Sequence, residues 1–175
     1  IEKHGKTHRK WKEEVLAKAT RNNSLRAFDK LTDVVDGRRV IVPDPPLIVR
    51  ADDMIAANES DAVGKFLDRY RQSLPLDRRM LLDRFSLVDI AKKVVGVGSV
   101  GTRCLIVLLA AGDGTPLFLQ FKQAVPSVLE AHLGASAVEQ AGQRVVEGQR
   151  LIQATSDVRL GWARWQEPGG QEIDY

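Results

Sequence analysis

The sequence has a single cysteine, Cys104, only 6% aromatic residues and no long hydrophobic run. One cysteine excludes an internal disulfide and a cysteine-based zinc site. The longest apolar run, Cys104–Ala111, is far too short to cross a bilayer, and the first residues lack the pattern of a signal peptide. These absences predict a folded, cytoplasmic protein without a membrane partner.

Positive charge is concentrated at the start of the chain. The first 30 residues contain nine Lys or Arg and four Asp or Glu, whereas the net charge of the whole chain is +3. A nucleic-acid-binding helical domain could be argued from this segment alone. Because aromatic side chains are few, we interpret it as a solvated helix face and do not expect nucleic acid as a partner.

Apolar residues in the first 85 positions recur mainly at helical spacing. Helices are predicted over residues 7–21, 24–31, 61–73 and 75–85. A short strand is predicted over residues 39–42, followed by Pro43-Asp44-Pro45-Pro46, which can continue neither a helix nor a strand. We therefore assign residues 1–85 to a mainly helical segment.

After residue 86 the pattern changes to short apolar runs separated by glycine-rich turns. Three consecutive strands are predicted over residues 94–97, 103–109 and 116–122, with a hairpin turn at residues 112–115. A short helix should begin at Ser127 and a longer one at Ser136, ending near Ala154, before a strand over residues 159–165. The predicted fold class is α+β: a helical N-terminal half, then a small antiparallel sheet with a packed helix over residues 86–175.

The first and last residues predict that the chain is an excerpt from a longer polypeptide. It opens with Ile-Glu-Lys rather than methionine. It closes with Glu172-Ile173-Asp174-Tyr175, which has the pattern of the beginning of a strand.

The stretch VVGVGSVGTR, residues 94–103, contains Gly-x-Gly-x-x-Gly. In a dinucleotide-binding fold these glycines end a strand and open a helix, but here an apolar, β-branched run follows, and no Gly-Lys-Ser/Thr of a Walker-type loop occurs. Protein kinases cover the phosphates of ATP with a strand, a glycine-rich hairpin and a strand. The predicted phosphate-binding residues of this loop are Gly96, Val97, Gly98, Ser99, Val100 and Gly101.

A kinase-like loop requires a lysine on the third strand, to hold phosphates of ATP. Lys122 closes the third predicted strand, where alternation puts Gln120 and Lys122 on one face and Leu119 and Phe121 on the other. We predict that Lys122 binds phosphate, and the alternative interpretation is a solvated strand end. Lys122→Ala should therefore weaken ATP binding far more than Lys93→Ala.

A glutamate on the following helix should orient that lysine, and three glutamates are candidates. Glu130 and Glu139 each lie three residues after a serine, a capping-box spacing that gives them a structural role. Glu147 lies in the middle of the predicted helix and is our choice as the catalytic partner of the lysine. An ordinary helical pair with Arg144 or Arg150 is the alternative.

Four segments together resemble the bacterial domain-of-unknown-function family 2252, whose members look like distant relatives of kinase-like phosphotransferases. They are VVGVGSVGTR, LFLQFKQA, SVLE and QRVVEGQRLIQATSDVRLGW, and the resemblance covers residues 89–162 well. It implies a fold like a protein-kinase N-lobe that binds ATP with Mg²⁺. It also implies catalytic and metal-binding segments upstream of the glycine loop, in a part of the protein that this sequence does not contain.

The resemblance implies a nucleotide-binding lobe that needs the rest of its polypeptide, or another protein surface, as a partner. No metal ligand is predicted in this chain, so we expect it to have no phosphotransferase activity alone. Arg103 replaces the usual valine over the adenine ring, and Gln120 replaces the usual alanine two residues before the lysine. These departures keep open a non-catalytic, kinase-like module that binds a ligand or a protein.

Overall fold

The computed structural model describes residues 24–50, 60–94, 101–167 and 169–175. Within these ranges it has five helices, which are α1 (Ser24–Leu31), α2 (Ser60–Ser73), α3 (Leu76–Leu82), α4 (Glu130–Leu133) and α5 (Ala141–Ile152). Its strands are β1 (Thr32–Val35), β2 (Arg38–Ile41), β3 (Ile48–Arg50), β4 (Phe85–Lys93), β5 (Cys104–Ala111), β6 (Pro116–Lys122), β7 (Arg164–Gln166) and β8 (Glu172–Asp174).

An antiparallel sheet of four strands, in the order β3-β4-β5-β6, forms the centre of the molecule. The predicted second and third strands are confirmed as β5 and β6, and the turn between them closes where Ala111 N donates to Thr115 O at 2.9 Å. Gly114 in this turn has φ +83°, a conformation that glycine adopts without steric cost. The sequence around Gly112 and Gly114 thus encodes the hairpin.

The first strand of this sheet begins nine residues before the predicted position. It was predicted at residues 94–97, but β4 covers Phe85–Lys93, and residues 95–100 lie outside the described part of the chain. A register shift between Leu87 and Asp89 interrupts the alternation of β4. The shift hides the strand from a period-two search, whereas pairing with the apolar strand β5 still satisfies its backbone.

The aromatic face is the side of the central sheet that carries Leu105, Val107 and Phe121. It packs against α2 and against the β7–β8 hairpin in one continuous core. Phe66 of α2 is 1% exposed, and its ring lies edge-on to Phe121 at 4.9 Å between centroids. Burial of these large apolar side chains supplies most of the driving force for the fold.

The lysine face is the opposite side of the sheet, which carries Ala91, Cys104, Ile106 and Lys122. Its apolar part forms a second, smaller cluster with residues of β2, β3 and α1. The predicted separation of Gln120 and Lys122 from Leu119 and Phe121 is confirmed, because Leu119 and Phe121 belong to the core of the aromatic face.

Asp89 is a buried carboxylate that joins β2 to the central sheet. Its Oδ2 accepts a hydrogen bond from Ile41 N at 2.7 Å, and its Oδ1 accepts one from Ile90 N at 2.8 Å. Buried charges are tolerated when they are hydrogen-bonded in this way. The side chain therefore holds the β1–β2 hairpin against the lysine face.

The first 85 residues contain more strand than the sequence predicts. Helices α1 and α2 are confirmed, but β1, β2 and β3 also lie in this part of the chain, and β3 belongs to the central sheet. The helix predicted over residues 7–21 lies outside the described residues. The fold is mixed α and β, and a mainly helical N-terminal half is not confirmed.

The core of the aromatic face contains residues from both sides of position 85, since α2 packs on β5 and β6. The predicted division of the chain at that position stays a prediction. Among the described residues no helix combines the length and the apolar character that a membrane span requires.

Helix α5 begins five residues later than predicted. Gln140, not Ser136, is its N-cap, and the Gln140 side chain accepts a hydrogen bond from Gln143 N. Ala141 N donates to Asp174 Oδ2 at 2.8 Å, so β8 satisfies another free amide of the first turn. The start of the helix is thus set by a contact that is distant in sequence.

The last two strands form a hairpin beside the central sheet. The strand predicted over residues 159–165 is shifted to Arg164–Gln166, and the predicted strand at Glu172 is confirmed as β8. Ala124 N donates to Asp174 O at 2.8 Å, which joins β8 to the chain just beyond β6.

Candidate functional site

Lys122 lies at the end of β6 in a row of side chains that crosses the lysine face. In the register of the sheet, Cys104 is opposite Lys122 and Ile48 is opposite Lys93. Lys92 is opposite Leu105, so one further step of the same register sets Lys93 opposite Cys104. Opposed residues of antiparallel strands share a face. The row is therefore Ile48, Lys93, Cys104 and Lys122.

Cys104 lies between the two lysines of this row and is 4% exposed. Its Sγ accepts a hydrogen bond from Gln120 Nε2 at 3.4 Å. Burial raises the pKa of the Cys104 thiol, while the Gln120 hydrogen bond and the charges of Lys122 and Lys93 act in the opposite direction. Both ammonium groups are thus close enough to Cys104 to lower the pKa of its thiol, against the larger effect of burial.

The glycine-rich connection begins and ends at this row. Strand β4 ends at Lys93 and β5 begins at Cys104, and the two strands are antiparallel. A strand rather than the helix of a dinucleotide-binding fold follows the glycines, as predicted, but the antiparallel pairing uses residues 85–92 and not the predicted residues 94–97. Gly101 is exposed with φ +84°, whereas Gly96, Val97, Gly98, Ser99 and Val100 lie outside the described residues.

Arg103 connects the end of this loop to the residue after Lys122. Arg103 N donates to Gln123 Oε1 at 2.9 Å, and Gln123 N donates to Arg103 O at 2.8 Å. The guanidinium of Arg103 also forms an ion pair with Glu167 in the β7–β8 hairpin. Lys122 is therefore held beside the end of the glycine-rich connection.

Lys93 is a member of this row that the sequence analysis missed. With the first strand predicted to begin at residue 94, Lys93 had no assigned role and served as the control for Lys122. The structure corrects that choice, because Lys93 and Lys122 share a face and act on the same thiol. Its position two residues after the buried Ala91 is the signal that could have identified it.

Glu147 lies in the second turn of α5 and is half-buried. Its Oε1 accepts a hydrogen bond from Gln143 Nε2 at 2.7 Å. No ion pair joins Glu147 to Lys122, Arg144 or Arg150 within the described part of the chain. The Lys122–Glu147 pair is not formed in this structure, and its formation stays a prediction.

The two arginines of α5 have backbone partners instead. Arg144 donates to Val125 O and Arg150 donates to Leu160 O, each at 2.7 Å. The guanidinium of Arg150 also lies 5.6 Å from the ring centroid of Trp162. These contacts connect the helix to the chain after β6 and to the segment before β7.

The remaining two glutamates differ in their roles. Glu130 Oε1 accepts a hydrogen bond from Ser127 N at 3.0 Å, as the capping-box spacing predicts. Glu139 is exposed and precedes the N-cap of α5, so the capping role predicted for it is wrong. The reason is that α5 takes its cap from Gln140 and from the distant Asp174.

A family model described as "Uncharacterized protein conserved in bacteria (DUF2252)" matches residues 1–173. The chain belongs to this family. No curated protein and no solved structure matches the chain. Membership extends the resemblance, first seen over residues 89–162, to almost the full length of the sequence.

A groove of about 590 Å³ adjoins the candidate site of this family member, beginning at Gln123. The first turn of α5, β7 and β8 line it, and its four carboxylate side chains outnumber its two arginines. Arg164 Nε donates to Asp174 Oδ1 at 2.6 Å, and this hydrogen bond raises the pKa of Arg164. Arg164 also pairs with Glu172 at 3.0 Å. The groove is therefore less suited to an anionic ligand than the lysine row is.

Metal-binding side chains do not cluster in the described residues. No group of three or more His, Cys, Asp or Glu side chains that could hold a metal ion occurs there. The described candidate site consists of the two lysines, the Cys104 thiol and the Gln120 amide.

Proposed function

We propose that the chain contains the nucleotide-binding part of a kinase-like phosphotransferase. In this proposal the backbone amides of residues 96–101 bind the phosphates of ATP, and the Lys122 ammonium neutralises their charge. Glu147 orients Lys122 when α5 moves toward β6. Mg²⁺ bound together with ATP would supply further charge neutralisation during transfer.

The observation that carries the proposal is the contact between the glycine-rich connection and the end of β6. Gln123, the residue after Lys122, exchanges two hydrogen bonds with Arg103, the last residue before β5. A lysine at the end of the third strand and a glycine-rich hairpin between the first two are thus neighbours. Phosphate binding in kinases uses this pair of features.

A non-catalytic ligand-binding or protein-binding module is the second candidate function. The ion pair between Arg103 and Glu167 favours it, because both groups are charged where the proposal expects the adenine ring. Gln120, a larger residue than the alanine usual at its position, is hydrogen-bonded to Cys104. A ligand with phosphate groups but no purine ring fits these two features better than ATP does.

Thermal unfolding with and without ligand tests the proposal. A ligand that binds only the folded chain at 100 times its Kd should stabilise it by about 2.7 kcal/mol. We expect Mg²⁺·ATP to raise the melting temperature and adenosine to leave it unchanged. Absence of any shift with ATP at millimolar concentration would contradict nucleotide binding.

Lys122→Ala and Lys92→Ala form the matched pair of variants. Both remove one lysine near the same end of the sheet, but Lys92 is opposite Leu105 and lies on the aromatic face. Loss of the ATP effect in Lys122→Ala alone supports the proposal, and equal effects make Lys122 a solvated strand end. Formation of ADP by the natural polypeptide separates the phosphotransferase from the non-catalytic module.

A further inference from the structure

We infer that Lys93 is a second phosphate-binding residue, which forms a two-ammonium clamp with Lys122 across strand β5. The inference deepens the proposed function and rests on it for the choice of a nucleotide as the natural ligand. The chemical class that the clamp recognises is a chain of two or more linked phosphates.

The register of three strands defines the clamp. Lys93 and Lys122 are opposite Cys104 from its two sides, so all three side chains leave the sheet on the lysine face. Neighbouring strands are about 4.8 Å apart, which separates the backbones of the two lysines by about 10 Å. Each ammonium stands on a flexible four-carbon stem. Both can therefore contact neighbouring phosphates of one ligand that bridges their ammonium groups.

The electrostatic setting of the two lysines favours an anion between them. Both charges act on the Cys104 thiol, and neither lysine forms an ion pair with a carboxylate of the described residues. Lys65 on α2, by contrast, is paired with Asp61 at 2.5 Å. A bound polyphosphate would neutralise the two ammonium groups and remove the repulsion between them.

The floor of the clamp is shaped by neutral groups. Cys104 is buried, which raises the pKa of its thiol and favours the uncharged form, and Gln120 Nε2 donates to its Sγ. No negative charge therefore lies in the row between the two lysines. The clamp consists of Lys93, Cys104, Gln120 and Lys122, and it does not depend on the conformation of residues 95–100.

Binding of Mg²⁺·ATP and of inorganic tripolyphosphate to four variants tests the inference, by calorimetry at low salt. Lys93→Gln and Lys122→Gln should each weaken binding of tripolyphosphate at least about tenfold. The reason is that a hydrogen bond between charged groups contributes about 1.5 kcal/mol or more, and about 1.4 kcal/mol corresponds to a tenfold change in Kd. Lys93→Arg keeps the charge and should retain most of the affinity. Lys92→Gln, on the opposite face, should bind like the unaltered chain.

The outcomes separate the clamp from the proposed function. If Lys93→Gln binds tripolyphosphate as tightly as Lys92→Gln does, the clamp is overturned. The proposed function survives that result if Lys122→Gln no longer binds ATP. If tripolyphosphate binding depends on both lysines and ATP does not bind, the clamp is supported and a nucleotide as the natural ligand is contradicted. Failure of both ligands to bind the unaltered chain overturns both. Melting temperatures within about 2 °C of one another establish that the variants are folded.

Discussion

The two faces of the central sheet bury different kinds of side chain. The aromatic face is covered by α2 and the β7–β8 hairpin, and the ring of Phe66 lies edge-on to Phe121, Trp165 and Tyr175 at 4.9 to 5.6 Å. The lysine face has a smaller apolar cluster and also carries a buried polar residue, Asp89. This second face continues into the row that contains Lys93 and Lys122.

This difference in burial predicts different effects for substitutions on the two faces of the sheet. A closed apolar face contributes stability in proportion to the area that it removes from water. The lysine face has a smaller apolar cluster, so it contributes less to the free energy of folding. Substitutions on the first face should therefore change the free energy of unfolding, and those at the lysine row should change binding.

The largest expected effect is that of Phe66→Ala. Phe66 is 1% exposed and contacts three other aromatic rings, so its truncation leaves a large cavity. We expect the free energy of unfolding to fall by about 4 kcal/mol, measured by urea denaturation. Leu151→Ala, at an exposed position of α5, is the control. A loss below about 1 kcal/mol for Phe66→Ala would contradict the assignment of stability to the aromatic face.

Asp89→Ala should have the next largest effect. The substitution removes the hydrogen bonds that Asp89 accepts from Ile41 N and Ile90 N, and it leaves a buried amide without a partner. We expect a loss of about 2 kcal/mol in the free energy of unfolding. Asp61→Ala, which breaks only an exposed ion pair with Lys65, should cost less than about 0.5 kcal/mol. Equal losses would show that Asp89 does not anchor β2.

Alkaline pH should weaken the aromatic face through the two tyrosines of the chain. Burial raises the pKa of Tyr175 to about 12, against the charge of Arg103, which lowers it. Burial also raises the pKa of Tyr70, whose hydroxyl donates to Arg159 O at 2.6 Å. The unfolded chain loses these protons near pH 10, so their contribution to stability is complete below pH 10 and is lost as pH rises toward 12.

Urea denaturation at pH 8, 10 and 11.5 measures this effect, and tyrosinate absorbance reports the ionisation directly. The folded chain should show little tyrosinate at pH 10.5, whereas the chain in urea should show a large signal. Tyr175→Phe should flatten the fall in stability above pH 10. Full ionisation of both tyrosines at pH 10.5 in the folded chain would mean that the aromatic face is open to water.

The smallest effect on stability is expected at the lysine row. Lys93→Gln and Lys122→Gln should each change the free energy of unfolding by less than about 0.5 kcal/mol, because neither lysine has an ion pair to lose among the described residues. The same urea titration measures this. A loss above 1 kcal/mol in either variant would give the lysines a structural role and remove the contrast between the two faces.

The sequence predicts the parts of the fold that depend on local signals. Strands β5 and β6 are apolar runs bounded by glycine turns, and the alternation of β6 puts Lys122 on the face where it lies. Strand β4 escaped prediction because the register shift at Asp89 breaks its period of two. Lys93 was missed for the same reason.

Parts of the site that depend on distant contacts could not be predicted. The first turn of α5 is fixed by Asp174, which is 33 residues away from Ala141. The ion pair between Arg103 and Glu167 joins residues 64 positions apart. No local pattern of spacing or charge contains these contacts, since they form only after the β7–β8 hairpin packs beside the sheet.

Asp174 joins the residues just after β6 to helix α5. Its carbonyl accepts Ala124 N and its carboxylate accepts Ala141 N, each at 2.8 Å, so both elements are attached to one residue. Glu147 lies six residues along α5 from Ala141, a distance of about 9 Å. A tilt of the helix by about 20° around this residue would move Glu147 by about 3 Å and Ala141 hardly at all. Such a tilt would also have to break the hydrogen bonds that Arg144 and Arg150 donate to Val125 O and Leu160 O.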